Sequence, residues 1–380
     1  MKIPFIYNVR SMLNRPATTL ATAIGIALVV VTFVGMLALA NGFRSAMIST
    51  GSPDNVLILR EGADAEISSG IDRETAQILA AFPDFTYSTA DVFVVLSKPR
   101  LNGSETNMPV RGVGPDAPRV REEFRIVEGR MFEPGRAEVV VGRGLVGRMQ
   151  NVEIGDKLRF GQQDFTVVGH FEAGGGAFES EVWGDAETLM PVFRGPVYQS
   201  MTLKLADPAS FETAKARIEG DPRLQVQVKR ESEFYAEQSE MLSNILRFIA
   251  IFVTSIMSVG AVFGAINTMD AMVASRGREI ALLQTLGFRP GSVLSSFMIE
   301  AILLALVGGV LGCLLSLPIN GIRTSTTNWQ TFGEMTFAFR ITPQILLLGL
   351  GFAVLMGIVG GFLPARRASR QVAAVGLRRE

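Results

Sequence analysis

The sequence predicts an α-helical membrane protein with four transmembrane helices and a large extracytoplasmic α+β domain inserted between the first and second helices. Three observations predict this fold class. Several long apolar runs lack charged residues, a stretch of about 200 residues has the composition of a soluble domain, and arginine is unevenly distributed. The mean hydropathy of +0.31 is therefore an average over two very different kinds of segment.

Four apolar runs are long enough to cross a bilayer, which requires about 20 helical residues for about 30 Å of hydrocarbon. They are Ala17–Ala40, Phe248–Met269, about Val293–Leu317 and Ile341–Leu363. The third run is uncharged apart from Glu300. With their flanking residues, the transmembrane helices are assigned to 17–43, 247–270, 292–320 and 341–365.

The first run also resembles a secretion signal, because basic residues precede it and Ala38–Ala40 resembles a cleavage site. The apolar core of a signal peptide is typically about 7–15 residues. This run has 24 before Asn41. We therefore expect an uncleaved transmembrane helix.

Basic residues concentrate in three short segments, which predicts the orientation of the chain. These segments are 1–16, the 271–291 loop and the 366–380 tail, with Lys2, Arg10, Arg15, Arg276, Arg278, Arg289, Arg366, Arg367, Arg370, Arg378 and Arg379. The only basic residues of the 321–340 loop are Arg323 and Arg340. We expect a multi-pass protein of the cell inner membrane with both termini cytoplasmic, and with 44–246 and 321–340 on the outer side.

The 44–246 segment reads as a soluble α+β domain. Strands are predicted at 55–60, 91–98, 200–205 and 224–230, helices at 72–82 and 208–220, and a hairpin at 157–172 that turns at 161–164. This order predicts an α/β subdomain split by a β-rich insertion at about 107–196. Helical spacing from Glu231 to Phe248 predicts a continuous helix into the second span. Asn41-Gly42 and the stretch "STGSPDN" at 49–55 predict a looser connection from the first.

No enzyme site is expected from the residues. His170 is the only histidine and Cys313 the only cysteine, which are too few for a metal site of nitrogen and sulfur ligands. We expect His170 to be a surface residue at a strand end. No Walker-type phosphate loop is present, because no lysine follows a glycine. We therefore expect no catalytic, cofactor or metal-binding residues and no ATP hydrolysis by this chain.

A short amphipathic helix is predicted at 276–286, between the second and third spans. Its apolar residues Ile280, Leu282, Leu283 and Leu286 recur at helical spacing, Gly287 suits the position after the last turn, and Ser292 is a candidate cap for the third span. Two interpretations are open. The helix either lies on anionic lipid headgroups or docks a cytoplasmic partner.

The segment "SRGREIALLQTLGFRPGSVLSSFMIEAILLALVGGVLG" resembles the hallmark of MacB/FtsX/LolC-type (type VII) ABC-transporter permeases, R-x-x-E-I-x-x-L-x-x-L-G followed by a glycine-rich span. The opening "RSMLNRPATTL" is similar to the family's start, and the middle of the chain is similar to MacB-type periplasmic core domains. The tail "LPARRASRQVAAVGLRRE" departs from the family because it lacks the usual D-P-x-E-A-L-R ending.

The resemblance implies a permease subunit whose 271–291 loop is bound by a separate ABC ATPase subunit. It identifies as ATPase-coupling residues Arg276, Arg278, Glu279, Ile280, Leu282, Leu283, Leu286 and Gly287. Glu300, an intramembrane carboxylate, lies about two turns inside the predicted boundary, within reach of Arg289 or water. It is expected either to form a structural or interfacial ion pair or to act directly in coupling. The glycines of the last two spans are expected to allow close helix packing.

The resemblance also implies a function in which ATP hydrolysis moves the outer domain and drives export or extraction of a lipoprotein, lipid, peptide or drug. The implied partners are a second permease copy or paralogue, membrane lipids, and a periplasmic membrane-fusion protein or lipoprotein carrier, with no nucleic acid. The alternative is an FtsX-like signalling scaffold that activates an extracytoplasmic enzyme such as a cell-wall hydrolase.

Overall fold

The computed structural model describes residues 16–193 and 195–370. Contacts divide the chain into two compact units. The membrane unit comprises Met1–Asn41, Asn244–Ile322 and Phe339–Glu380, as far as these residues are described. The inserted domain comprises Gly42–Ser243 and Arg323–Ala338.

The secondary-structure elements follow in chain order. The helices are α1 (Pro16–Ile48), α2 (Arg73–Ala80), α3 (Ala117–Val120), α4 (Ala186–Phe193), α5 (Phe211–Glu219), α6 (Glu231–Ser275), α7 (Gly277–Thr285), α8 (Pro290–Ser316) and α9 (Pro343–Ser369). The strands are β1 (Asn55–Arg60), β2 (Ile71–Asp72), β3 (Phe85–Pro99), β4 (Glu105–Val113), β5 (Phe124–Gly129), β6 (Glu138–Gly142), β7 (Lys157–Phe160), β8 (Gln163–Ala173), β9 (Val182–Asp185), β10 (Val197–Tyr198), β11 (Ser200–Leu205), β12 (Val226–Arg230), β13 (Arg323–Thr327) and β14 (Glu334–Ala338).

Four of the described helices are long and apolar enough to cross a membrane: α1, α6, α8 and α9. They contain the four apolar runs of the sequence apart from Leu317, Ile341 and Thr342, and the inserted domain follows the first of them. The predicted fold class, four membrane helices with a large α+β domain between the first and the second, is confirmed.

The two helices that border the inserted domain extend well beyond the apolar runs. The continuous helix expected before the second span is present, because α6 runs unbroken for 45 residues from Glu231. The looser connection expected from the first span is absent at Asn41-Gly42, because α1 continues to Ile48. The Asn41 side chain does not compete with the helix backbone there, since its Nδ2 donates to the carbonyl oxygen of Arg340 at 3.1 Å. The looser connection is present at 49–54, where turns and a bend connect α1 to β1.

The inserted domain is built on one ten-stranded sheet, in the order β12-β1-β11-β3-β4-β9-β6-β8-β5, with β7 paired to β8. Strand β3 joins the two halves of this sheet. Its first part, up to Asp91, pairs with β11, and its second part, from Val92, pairs with β4. The predicted insertion at about 107–196 therefore shares a continuous sheet with the surrounding α/β half.

Each half of the sheet has its own apolar core. In the α/β half, helices α2 and α5 contribute Leu79, Phe211 and Ile218 to a cluster with strand residues such as Ile58 and Leu203. In the β-rich half, the cluster is formed by residues of β4, β6, β7, β8 and β9 and their connections. The strands predicted at 55–60 and 200–205 have the observed bounds of β1 and β11.

His170 lies within β8 and is buried, so its assignment to the surface is wrong. Its Nε2 is 2.8 Å from the carbonyl oxygen of Val152, and its Nδ1 is 3.3 Å from Glu128. The hairpin that contains it turns over two residues, Gly161 and Gln162, because Phe160 pairs directly with Gln163.

The segment between α8 and α9 folds as an antiparallel hairpin of β13 and β14, which was expected only as a short loop. This 323–338 hairpin belongs to the inserted domain. Glu334 is buried there and pairs with Arg100 at 2.7 Å and with Arg148 at 3.4 Å. The backbone nitrogen of Thr336 donates to the Ser180 hydroxyl at 2.7 Å.

Candidate coupling site

Helix α7 lies at the position predicted for the short amphipathic helix. A turn at Arg276 separates it from α6, and it ends at Thr285, with Leu286 as its C-terminal cap. Gly287 follows with φ of +89°, the left-handed conformation that favours glycine after a helix. The next helix begins at Pro290 rather than after Ser292, because proline suits the first helical position, where its missing N–H is not needed.

One side of α7 is packed into the membrane unit. Ile280 is only 2% exposed, and Ala281 is also buried. Ile280 belongs to an apolar cluster with residues of α6, α8 and α9, among them Val273, Phe297 and Ala365. Helix α7 is therefore fixed to three transmembrane helices through one isoleucine.

The other side of α7 is uncovered. Leu282 is 57% and Leu286 64% exposed, and Arg278 and Glu279 are also exposed. The apolar residues expected to share one face are thus divided between the interior and the surface. The side chain of Leu283 is outside the described part of the structure.

Arg276 is turned inward, toward Glu300 of α8. Its Nη1 lies 3.0 Å from the Glu300 Oε2, and the two side chains are 11% and 1% exposed. Its Nε also lies 3.8 Å from the Glu279 Oε2. A buried carboxylate in a transmembrane helix is costly unless it is paired. The expected ion pair of Glu300 is present, and the partner that the structure gives is Arg276.

Two further polar contacts join helices of the membrane unit. Asp270 of α6 pairs with Arg367 of α9 at 2.8 Å. The hydroxyls of Thr22 and Thr268 are 2.7 Å apart and join α1 to α6. These contacts join the C-terminal part of α6 to its neighbours.

Glycines allow α8 to approach α1 and α9 closely. A Cβ at Gly308 would lie 2.8 Å from the carbonyl oxygen of Ala23, and one at Gly357 would lie 2.5 Å from the Cβ of Ala305. Both distances are too short for real contacts. The expectation that these glycines serve close packing is confirmed at both positions, whereas Gly351 faces open space.

Sequence reasoning identified α7 and Glu300 but missed the residue that joins them. Arg276 matches the family motif, and the motif alone assigns it to the docking surface. The ion pair could have been predicted from Glu300, because a carboxylate in a transmembrane helix requires a nearby cation and Arg276 is close in sequence.

Among residues 16–193 and 195–370, no group of three or more histidine, cysteine, aspartate or glutamate side chains is placed to hold a metal ion. What the site provides is an exposed surface of Leu282, Leu286, Arg278 and Glu279 on a helix anchored by Ile280 and Arg276.

Two family models match the chain. Residues 19–221, over half of the chain, match the MacB-like periplasmic core domain, and residues 251–373 match the FtsX-like permease C-terminal domain. The first match ends before α6, and the second covers α7, α8 and α9.

Curated relatives include two macrolide export ATP-binding/permease proteins MacB. The protein from Bartonella quintana is 25% identical over 99% of this chain and 59% of its own length. The protein from Bordetella avium is 28% identical over 74% of this chain and 44% of its own length. The chain thus spans less than two thirds of the relatives it matches.

Two solved structures resemble part of the chain. One is the periplasmic region of MacB from Actinobacillus actinomycetemcomitans, with a TM-score of 0.39, 14% identity, and coverage of 50% of this chain and 95% of that one. The other is the extracellular domain of the noncanonical ABC-type transporter YknZ from Gram-positive bacteria, with a TM-score of 0.38, 15% identity, and coverage of 46% and 99%.

Proposed function

Because this chain belongs to the MacB/FtsX family of ABC-transporter permeases, we propose that it couples ATP hydrolysis by a separate ATPase subunit to movement of its inserted domain. The movement drives export or extraction of a lipoprotein, lipid, peptide or drug on the outer side of the inner membrane. Both termini lie in the cytoplasm, as the basic residues of 271–291 and 366–370 favour.

The observation that carries the proposal is the division of α7 into an anchored and an uncovered side. Leu282 and Leu286 are exposed apolar residues beside the exposed charges of Arg278 and Glu279. An apolar centre with a charged rim is the usual composition of a protein interface. The ATPase binds this surface.

The anchored side transmits the force. Ile280 packs among residues of α6, α8 and α9, and Arg276 pairs with Glu300. Since packed interiors are dense and deform little, displacement of α7 by the ATPase moves these helices with it.

Two ordered connections transmit the displacement of the transmembrane helices to the inserted domain. Helix α6 connects α7 to the last strand of the α/β half without a break, since it begins directly after β12. The chain between α8 and α9 forms the 323–338 hairpin, which is held in the β-rich half by Glu334 and its arginine partners. A flexible linker at either place would absorb the displacement.

The permease acts as a dimer with a second copy or a paralogue. Support comes from α6, of which only 17% of the most apolar window is buried, against 39–44% for the other three spans. Helix α6 therefore has the largest surface available to a second chain within the bilayer.

Co-purification tests the proposal. The permease is co-expressed with the ABC ATPase encoded beside it, and the ATPase retained by the tagged permease is measured for Leu282→Asp and Leu286→Asp. Each places a charge in an apolar interface, which costs several kcal/mol, on the order of 2–4. We expect at least a tenfold loss of retained ATPase.

Leu101→Asp is the matched control, because Leu101 is equally exposed (60%) but lies in the inserted domain. It is expected to leave the retained ATPase unchanged. Full retention of the ATPase by both α7 variants, in protein that is correctly inserted, contradicts the proposal and supports a helix that only lies on lipid.

A further inference from the structure

The inserted domain contains a pocket of about 290 Å³ where the chain arrives from α1 and leaves into α6. Its walls come from the segment 49–55 that follows α1, from the start of β5, from the end of β8, and from Glu231, the first residue of α6. Its volume is near the lower end of the range for small-ligand sites.

Three buried side chains that line this pocket carry polar atoms without a hydrogen-bond partner in the described structure. They are Oδ1 of Asn55, Nε and Nη1 of Arg121, and Oε1 of Glu231. These residues are 1%, 6% and 1% exposed. Buried polar groups are nearly always hydrogen-bonded, so several unpartnered atoms around one pocket indicate a missing partner.

The same side chains are held firmly by their other atoms. Nη2 of Arg121 donates to Asp91 at 2.7 Å. Oε2 of Glu231 accepts from the backbone nitrogen of Ser52 at 3.0 Å and from Nδ2 of Asn55 at 2.8 Å. The unpartnered atoms are therefore fixed in place. Nε of Arg121 and Oε1 of Glu231 are 3.9 Å apart, too far for a direct hydrogen bond.

The charges around the pocket favour a cationic group. Arg121 is paired with Asp91, and Glu122 with Lys204. Glu231 inside the pocket lies 3.9 Å from Arg121, which also pairs with Asp91, and Glu123 lies at the rim. Carboxylates therefore outnumber the cations around the pocket.

The unpartnered atoms also indicate a second polar group that the ligand must carry beside its cationic group. Oδ1 of Asn55 and Oε1 of Glu231 accept hydrogen bonds, whereas the guanidinium of Arg121 donates them. A ligand that satisfies both has an ammonium group close to a carbonyl oxygen. Phe124 and Phe178 add apolar lining beside these groups.

We propose that this pocket binds the amino-terminal end of a peptide or an α-amino amide. The ammonium donates to Glu231 and Asn55, and the adjacent carbonyl accepts from Arg121. The inference is independent of the proposed ATPase coupling, because it rests on the inserted domain alone. Since the pocket borders the first residue of α6, a bound ligand contacts the beginning of that helix.

Titration of the purified full-length protein with L-leucinamide tests the proposal, with binding followed by ligand-detected NMR. N-acetyl-L-leucinamide has the same side chain and amide but lacks the ammonium. We expect saturable binding of L-leucinamide and at least tenfold weaker binding of the acetylated compound.

Two variants and one control locate the binding. Glu231→Gln keeps an acceptor for Ser52 but removes the charge, and should reduce affinity at least tenfold. Glu123→Gln changes an exposed rim residue, leaves the fold intact, and should reduce affinity severalfold. Glu212→Gln, an exposed carboxylate of α5 that does not line the pocket, should have no effect.

The proposal is overturned if wild-type protein shows no saturable binding of L-leucinamide. Water would then be the partner of the unpartnered polar atoms. Equal binding of the acetylated compound, or unchanged affinity in folded Glu123→Gln and Glu231→Gln proteins, also overturns it.

Discussion

Arg276 and Glu300 form an ion pair, with Nη1 of the arginine 3.0 Å from Oε2 of the glutamate. The arginine stands at the turn before α7, and the glutamate is buried in the third transmembrane helix. The contact therefore joins the short helix to a span from which it is separated by a turn and a loop. In our account, this pair holds α7 in place while the ATPase pushes on it.

The pair should show energetic coupling in a double-mutant cycle. Arg276→Gln, Glu300→Gln and the double variant are compared with wild type by thermal or denaturant unfolding in detergent. Because each single change leaves one charge in a poorly solvated site, we expect a coupling free energy of about 1–3 kcal/mol. Effects that add within about 0.5 kcal/mol would show that the pair contributes no specific stability.

A methyl group at Gly357 should disrupt the packing of α8 against α9. The new Cβ would lie 2.5 Å from that of Ala305, and overpacking of this kind costs about 1–3 kcal/mol. Gly357→Ala should lower the unfolding temperature of the purified protein. Gly351→Ala is the control, because that glycine faces open space on the same helix. An equal effect of both changes would point to the helix backbone instead of the contact.

The 323–338 hairpin should detach from the inserted domain in acid. Burial raises the pKa of Glu334, but hydrogen bonds from Ser325, Thr106 and Arg100 outweigh it, so the pKa is lowered from its ordinary value of 4.5. A carboxyl with a lowered folded-state pKa stabilises the protein above its unfolded pKa, and this stabilisation is lost as pH falls through the folded-state pKa.

Wild-type protein should therefore lose stability below about pH 4.5, and Glu334→Gln should lose less over the same range. The free energy of unfolding of each protein, measured across this pH range, gives the difference. Identical acid profiles for the two proteins would show that Glu334 does not hold it.

Cysteine labelling tests the orientation. In a Cys313→Ser background, Asp164→Cys in the inserted domain should react with an impermeant maleimide added outside the inner membrane. Thr285→Cys at the end of α7 should react only after the membrane is opened. Both positions are exposed, so access to the reagent depends on the side of the membrane. The reverse pattern would place α7 outside and exclude a cytoplasmic ATPase there.

Features with a local pattern could be predicted from the sequence. The apolar runs gave four membrane helices, and Gly287 and Pro290 bounded α7 correctly because glycine and proline restrict the backbone wherever they occur. The strand at 55–60 was predicted from its own β-branched and apolar residues. The connection at Asn41-Gly42 was wrong because the partner of Asn41, Arg340, is 299 residues away.

Features that depend on distant partners could not be predicted. Glu334 lies in a short polar segment, and nothing near it in sequence indicates Arg100 or Arg148. The burial of His170 depends on the carbonyl of Val152, which belongs to a different turn of the chain. The pocket beside Glu231 is formed by four separate segments, so no single stretch of sequence carries its pattern.

The central claim is that the exposed side of α7 contacts an ATPase, and a photo-crosslink at position 286 tests it most directly. A benzophenone amino acid replaces Leu286 in the co-expressed permease and ATPase, and the same replacement at Leu355, an exposed apolar residue of α9, is the control. The account predicts a covalent adduct between position 286 and the ATPase, identified by mass spectrometry, and none from position 355. An assembled, ATP-hydrolysing complex that forms no such adduct at position 286 would contradict it.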